Sequence, residues 1–329
     1  MSAAFVHLHL HTEYSLVDSV VRIAELIPKV AGARMPAVAV TDQGNLFAMV
    51  KFYRAALAAG VKPIIGAEML IHGGAEQPHR CVLLCQNDAG YTNLTKLVTR
   101  AYMEGQQRAG AVLHKSWLRG ATDGLIALSG GRLGEVGHAL LNGGFERARH
   151  ALEEWLRLFP QRFYLELQRT GREGEEDYLE AAVQLAGQVA CPVVATNDVR
   201  FLDADEFDAH EARVCIQEGR TLGDPHRARL YSEQQFLRSA EAMQQRFEDV
   251  PEAIENSVAV AQRCNLRLRM GDSYLPDFPV PEGDTTEAYF RRQAEAGLQQ
   301  RLERVHAASD ADYVQRLQRE LDVICQMGY

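Results

Sequence analysis

Short apolar runs that alternate with helical stretches constrain this chain more than any other feature. Residues 6–11, 37–41, 62–68, 81–85, 124–129, 163–168 and 192–196 read as strands, because each is short and either largely apolar or, in the first, alternating. Between most of them lie stretches with helical spacing, at 20–33, 46–59, about 91–103, 145–158 and 175–189. Pro28 either kinks the first of these or starts a second helix, Gly60 stops the next, and Asp88 is placed to cap the third. Such alternation predicts an α/β fold with a mainly parallel sheet, and the seven strands suggest closure into a barrel.

In a barrel of this kind the chemistry gathers where strands end and loops begin. The residues there are His9 and His11, then Asp42 and Gln43, Glu68, Ser129 to Gly131, Glu166, and finally Asp198 and Arg200. Metal-type ligands therefore recur at the ends of separate strands. The first stretch, Val6-His-Leu-His-Leu-His11, sends His7, His9 and His11 to one face of a strand and the aliphatic residues to the other. Side chains two apart on a strand are roughly 6.5–7 Å apart, so His9 and His11 can converge on one ion or flank a small cluster. Asp18, returning from the following loop, offers a hard oxygen ligand. A half-buried edge strand with solvated histidines has the same local pattern, so the case rests on the carboxylates at the other strand ends.

With 329 residues and 47% hydrophobic side chains the chain can bury a sizeable core, and its net charge of -9 argues against strong nonspecific binding of nucleic acid. It has neither an apolar run of 18 residues nor a basic segment leading into an apolar one. Membrane insertion and secretion are therefore not expected, and a cytoplasmic location follows. The six cysteines lack Cys-x-x-Cys spacing and read as reduced, mostly buried thiols. Beyond Leu202 the pattern turns helical, with amphipathic helices at 203–218, 233–247 and 251–264, a proline-rich connector at 274–283 and charged helices at 286–304 and 312–326. A barrel domain over 1–270 and a second segment over 271–329 are the expected division. The chain stops at Met327-Gly-Tyr329 inside what reads as an unfinished element, so a truncation is expected. His72, His114, His138, His150, His210, His226 and His306 are scattered singly and read as surface or packing residues, as Trp117 and Trp155 read as packing.

Several stretches together resemble the polymerase and histidinol phosphatase (PHP) domain, as it occurs at the N-terminus of bacterial replicative DNA polymerases. They are Phe5-Val-His-Leu-His-Leu-His-Thr-Glu-Tyr-Ser-Leu-Val-Asp18, Met35-Pro-Ala-Val-Ala-Val-Thr-Asp-Gln-Gly-Asn45, Val50-Lys-Phe-Tyr53, Gly60-Val-Lys-Pro-Ile-Ile-Gly-Ala-Glu68, Gly90-Tyr-Thr-Asn-Leu94, Val194-Ala-Thr-Asn-Asp198, Leu275-Pro-Asp-Phe-Pro279 and Glu320 to Tyr329. The resemblance implies a seven-stranded distorted (β/α) barrel, followed by a helical segment leading into the polymerase palm. For the whole protein it implies DNA-templated DNA synthesis in chromosome replication, with magnesium at polymerase aspartates beyond residue 329, so that this stretch alone does not polymerise. It further implies partners: a proofreading exonuclease subunit, other replicase subunits, and DNA.

Active PHP domains bind up to three metals, and the resemblance assigns His9, His11, Asp18, Glu68 and Asp198 to that pattern, with zinc, manganese or magnesium as the ions such a site takes. Three positions depart from it. Gln43 stands where the family has histidine in Thr-Asp-His-Gly, Arg200 stands at the second member of an Asp-x-His pair, and Arg80 replaces another histidine unless His79 supplies it after a one-residue shift. Gly130 or Gly131 sits where a further His or Cys ligand belongs. Without metal, Asp18, Glu68 and Asp198 would repel one another, and a guanidinium can supply the missing charge. The expectation is a partly degenerate site in a structural, exonuclease-binding domain, with weak or single metal occupancy. The alternative is a working metal-dependent phosphoesterase or 3'-5' exonuclease.

Overall fold

The computed structural model describes residues 5–73, 77–107, 110–272, 278–305 and 310–328, and the chain divides into two compact units, Met1–Arg267 and Leu268–Tyr329. Part of the proline-rich connector, including Leu275, Pro276 and Asp277 of the quoted motif, lies outside the described residues, as does His306. In the first unit the strands are β1 (Ala37–Val40), β2 (Lys62–His72), β3 (His79–Cys85), β4 (Gln106–Gln107), β5 (Gly110–His114), β6 (Leu125–Leu128), β7 (Phe163–Gln168) and β8 (Val193–Thr196). The helices are α1 (Ile23–Gly32), α2 (Met49–Ala58), α3 (Asp88–Glu104), α4 (Glu135–Asn142), α5 (Phe145–Leu158), α6 (Glu175–Val189), α7 (Phe207–Glu218), α8 (Ala240–Arg246) and α9 (Pro251–Arg263).

β1, β6, β7 and β8 are buried at every residue, as strands covered on both faces must be. The sheet is mixed. β1 and β2, β2 and β5, β6 and β7, and β7 and β8 pair in parallel, whereas β3 runs antiparallel to both β2 and β6. The cause is the length of β2, which continues past Glu68 to His72, so that β3 returns beside it without an intervening helix.

The N-terminal stretch closes the structure without forming a regular strand. Its bridges are isolated, His7 to Val38 on one side and Leu10 to Val199 on the other. Ala39 N–H donates to His7 O at 2.8 Å, Thr41 N–H to Leu10 O at 2.8 Å, and His11 N–H to Val199 O at 3.0 Å. Pairing thus runs from this stretch through β1, β2, β3, β6, β7 and β8 and back to it, a closed ring of staves. Val6, Leu8, Ala39, Ile64, Val82, Leu84, Ile126, Leu128 and Val194 fill one core cluster, joined by Val260, Ala261 and Cys264 from the end of α9.

Several elements depart from expectation. Pro28 lies inside α1, which runs on through it. α3 is capped by Asn87, whose side chain accepts from Gly90 N–H, and not by Asp88. Of the helix expected over 233–247 only Ala240–Arg246 forms, because Ser239 caps it and the residues before are bonded elsewhere: Gln235 reaches Asp198, and Phe236 bridges Phe201. β4, β5 and the eight-residue α4 are additional. In the second unit α10 (Thr286–Val305) and α11 (Asp310–Met327) pack on each other, with Arg291 to Asp322 at 2.9 Å and Gln318 to Glu295 at 2.9 Å.

Candidate metal centre

One end of the barrel gathers a buried set of ionisable side chains from staves far apart in sequence. His9 and His11 come from the N-terminal stretch, with ring centroids 5.6 Å apart, and Glu68 from the middle of β2. Asp18 follows the short 3-10 turn Glu13–Ser15. Asp198 and Arg200 follow β8, where Asp198 has φ of 45°, a left-handed conformation that aspartate tolerates better than most residues. All of them are buried, and Arg200 heads the largest fully buried side chains.

Both nitrogens of His9 face carboxylates: Nδ1 lies 2.7 Å from Glu166 Oε1, Nε2 lies 3.0 Å from Glu68 Oε2, and Asp198 Oδ1 is 3.5 Å away. A ring can donate from both nitrogens only when protonated, so His9 is an imidazolium here. Burial pushes it towards the neutral form, but Glu166 and Asp198 outweigh that and carry its pKa to about 10. Arg200 spans two aspartates, with Nε donating to Asp198 Oδ1 at 2.8 Å and Nη1 to Asp18 Oδ2 at 2.6 Å. Burial alone would raise both carboxyls, yet the guanidinium holds Asp18 and Asp198 well below the usual carboxylate range. Arg80, on β3, reaches Glu68 at 3.1 Å and, against the cost of burial, is the largest influence lowering that carboxyl.

Further residues complete the network from loops. Arg172 donates to Asp198 Oδ2 at 2.8 Å and to Glu175 at 2.8 Å, Gln235 donates to Asp198 Oδ2 at 2.9 Å, and the Tyr231 hydroxyl donates to Asp18 Oδ2 at 2.9 Å. None of these was singled out in the sequence, because their polarity resembles that of any solvated loop. Glu166 accepts from the Thr196 hydroxyl at 2.6 Å and from Gly130 N–H at 3.1 Å, so Gly130 contributes its backbone to the cluster. Asp42 lies at a strand end as expected but serves the chain locally, accepting from Thr12 N–H at 2.6 Å and the Ser15 hydroxyl at 2.9 Å. His7 is turned away from the cluster, its Nε2 donating to Arg238 O at 2.9 Å, and burial lowers its pKa to about 4.

A cation fits part of this arrangement. His9, His11 and Glu68 each offer a ligand atom within 4.8 Å of the others. His11 Nε2 and Glu68 Oε1 are 3.8 Å apart; His11 Nε2 is buried without a hydrogen-bond partner, as is Gln43 Oε1 from the residue that bridges Glu68 in the sheet, whereas Glu68 Oε1 is ion-paired with Arg80 Nη1 at 3.1 Å. His11 Nδ1 meets both Asp18 Oδ1, 3.0 Å away, and the Arg200 guanidinium; with its proton on Nδ1 toward Asp18 the ring presents Nε2 to a metal, whereas a bond from Arg200 to Nδ1 places the proton on Nε2. Two imidazoles and a carboxylate are a ligand set for a divalent first-row ion. The other carboxylates, Asp18 and Asp198, are occupied by Arg200.

Residues 7–170 match the PHP domain family. Over its whole length the chain is 49% identical to the DNA polymerase III subunit alpha of Pseudomonas aeruginosa. It is 47% identical over 99% of its length to that of Escherichia coli strain K12, and 44% identical over 99% to that of Vibrio cholerae. The chain spans 29% of the length of each of these relatives. Among solved structures it is similar to an amidohydrolase from Chromobacterium violaceum, with a TM-score of 0.41 and 14% identity, covering 64% of this chain and 97% of that one. The chain belongs to the PHP domain family. More particularly, it matches the N-terminal PHP region of the bacterial DNA polymerase III alpha subunit along its full length.

Proposed function

We propose that this chain is the N-terminal PHP part of a replicative DNA polymerase, acting in the cytoplasm as a structural platform that holds a proofreading exonuclease subunit and other replicase subunits. The whole protein carries out DNA-templated DNA synthesis, with magnesium at a polymerase site outside this stretch. In the barrel, arginine has taken over part of an ancestral metal site. The observation that carries this reading is the guanidinium of Arg200, fully buried between Asp18 and Asp198 where it supplies charge that metal would otherwise bring. His9, held as an imidazolium between Glu68 and Glu166, supplies more. Among the described residues no helix is long and apolar enough to cross a membrane.

A second reading has its own observation. The unpartnered His11 Nε2, 3.8 Å from Glu68 Oε1, favours a residual site for one divalent ion, held by His9, His11 and Glu68. Such an ion would supply Lewis-acid polarisation of a phosphoryl oxygen, as in metal-dependent phosphoesterases. To hold it, His9 Nε2 must give up its proton, which Glu68, Glu166 and Asp198 oppose. Elemental analysis of protein purified without chelator separates the readings. At most one weakly held ion and no 3'-5' cleavage are expected, with activity gained in the double substitution Gln43→His with Arg200→His. Three tightly bound zinc or manganese ions and turnover in the unaltered protein would overturn the arginine-replacement reading.

A further inference from the structure

Between α7 and α8, residues 219–239 form no helix or strand beyond the single bridge of Phe236 to Phe201. The first half of this segment is exposed, Leu222 and Leu230 included. The second half crosses the barrel mouth and is bonded to the cluster itself. The Tyr231 hydroxyl donates to Asp18 Oδ2 at 2.9 Å, and the fully buried Gln235 donates from Nε2 to Asp198 Oδ2 at 2.9 Å and to Asp198 O at 3.1 Å. Between them the Ser232 hydroxyl donates to Thr170 O. Two cluster carboxylates are thus held from the solvent side by a segment that belongs to no regular element.

This cover leaves polar atoms unsatisfied beneath it. His210, fully buried on α7, packs edge-on against Tyr231 with ring centroids 4.7 Å apart. Its Nε2 donates to Asp18 O at 3.1 Å, so in the neutral ring Nδ1 is an acceptor, yet what faces it at 3.6 Å is another acceptor, Glu211 Oε1. Neither atom has a hydrogen-bond partner. Arg227, from the crossing segment, meets Glu211 Oε2 through Nη1 at 2.5 Å, while its buried Nε has no acceptor. Buried polar atoms left in this way oppose the closed arrangement, and lifting the segment returns water to them.

The two ends of the segment differ. Gly219 closes α7 in a left-handed conformation, with φ of 66°, and a Cβ on Gly219 or Gly223 would meet nothing within 4 Å, so this end turns without a clash. At the other end Leu237 N–H donates to Phe201 O at 3.2 Å beside the Phe236 bridge, which fixes the chain to the barrel. We propose that residues 219–235 are a lid on the barrel mouth, pivoting between Gly219 and the Phe236 bridge. Closed, it grips Asp18 and Asp198 through Tyr231 and Gln235. Open, it uncovers the cluster to water and to small ions, and this gating of entry is independent of which ions the cluster holds.

Hydrogen exchange resolved to single amides by electron-transfer fragmentation tests the lid. Arg200 N–H donates to Gln235 O at 2.8 Å and reports lid opening, whereas its neighbour Val199 N–H donates to His9 O at 3.1 Å and reports the barrel. In the unaltered protein the protection factor at Arg200 is expected to lie about tenfold or more below that at Val199, and to be insensitive to low urea, as a local opening requires. Tyr231→Phe combined with Gln235→Ala should lower protection at Arg200 about tenfold further while Val199 and Leu237 keep theirs, since only bonds of the lid to the charged carboxylates are lost. In the same variant, acylation of His11 by diethyl pyrocarbonate, mapped by mass spectrometry, should become faster. The proposal fails if Arg200 and Val199 exchange together in the unaltered protein through global unfolding, or if the paired substitution leaves both the Arg200 amide and His11 as protected as before.

Discussion

Two histidines two residues apart on the first stave titrate in opposite directions, because one is buried against backbone and the other among carboxylates. His7 has its pKa lowered to about 4 from the ordinary 6.5, and its Nδ1 is buried without a partner. The folded chain therefore resists protonating it: His7 contributes stability above pH 6.5 that is lost as the pH falls towards 4. His9 has its pKa raised to about 10, so its contribution is complete below pH 6.5 and is lost as the pH rises towards 10. Asp18 and Asp198, held well below the usual range, add to the acid loss only below about pH 4. Denaturant midpoints measured against pH should peak near 6.5, with His7→Gln flattening the acid limb and His9→Gln the alkaline one. A common effect of both substitutions on both limbs would contradict the assignment. At this scale the sequence was informative where a motif fixed a position: His9, His11, Asp18, Glu68 and Asp198 meet in one buried cluster, and so do Arg80 and Arg200. Arg172, Tyr231 and Gln235 were not legible, since each enters from an irregular loop whose path depends on tertiary contacts.

Among the elements, those bounded by strong local signals formed where the spacing put them. α5, β7 and α6 span Phe145–Leu158, Phe163–Gln168 and Glu175–Val189, the ranges read from periodicity, and glycines precede both helices. Where one element depends on another's length the spacing was silent, as with β2 running past Glu68. Gly90, quoted within a motif, has its reason here. A Cβ on it would stand 1.8 Å from Gly124 O, because the first turn of α3 lies directly against the turn before β6. Gly124 has φ of 71° and is itself packed against Gly90, so neither backbone can give way easily. Gly90→Ala should cost about 1–3 kcal/mol through overpacking, read from urea unfolding. An unchanged midpoint would mean that the helix start and the turn can separate freely.

For the whole molecule, the closed ring of staves is the feature on which the cluster depends. The N-terminal stretch buries Phe5, Val6, Leu8 and Leu10 and is the sole link between β1 and the segment after β8 among the described pairings. Its removal would leave the hydrogen-bonding edges at Ala39, Thr41 and Val199 unpaired and strip His9 and His11 from the carboxylates. Deleting residues 1–11 should therefore abolish cooperative thermal unfolding and produce aggregated protein on size-exclusion chromatography. A soluble deletion variant with a native-like melt would show that the ring can stay open. The α/β class and the barrel were legible from the alternation of runs; the irregular character of the first stave was not, because alternating histidine and leucine look the same in a ladder and in a pair of isolated bridges.

That first stave also sets a clock for synthesis. The segment leaves the ribosome well before one of its two neighbours, Val199, which is made about 190 residues later, and Arg200 reaches Asp18 across a comparable stretch of chain. At about 5–20 residues per second, the nascent N-terminus waits roughly 10–40 s with four large apolar side chains uncovered. Chaperones that bind such segments have that interval to act, and a pause in translation before codon 199 would lengthen it.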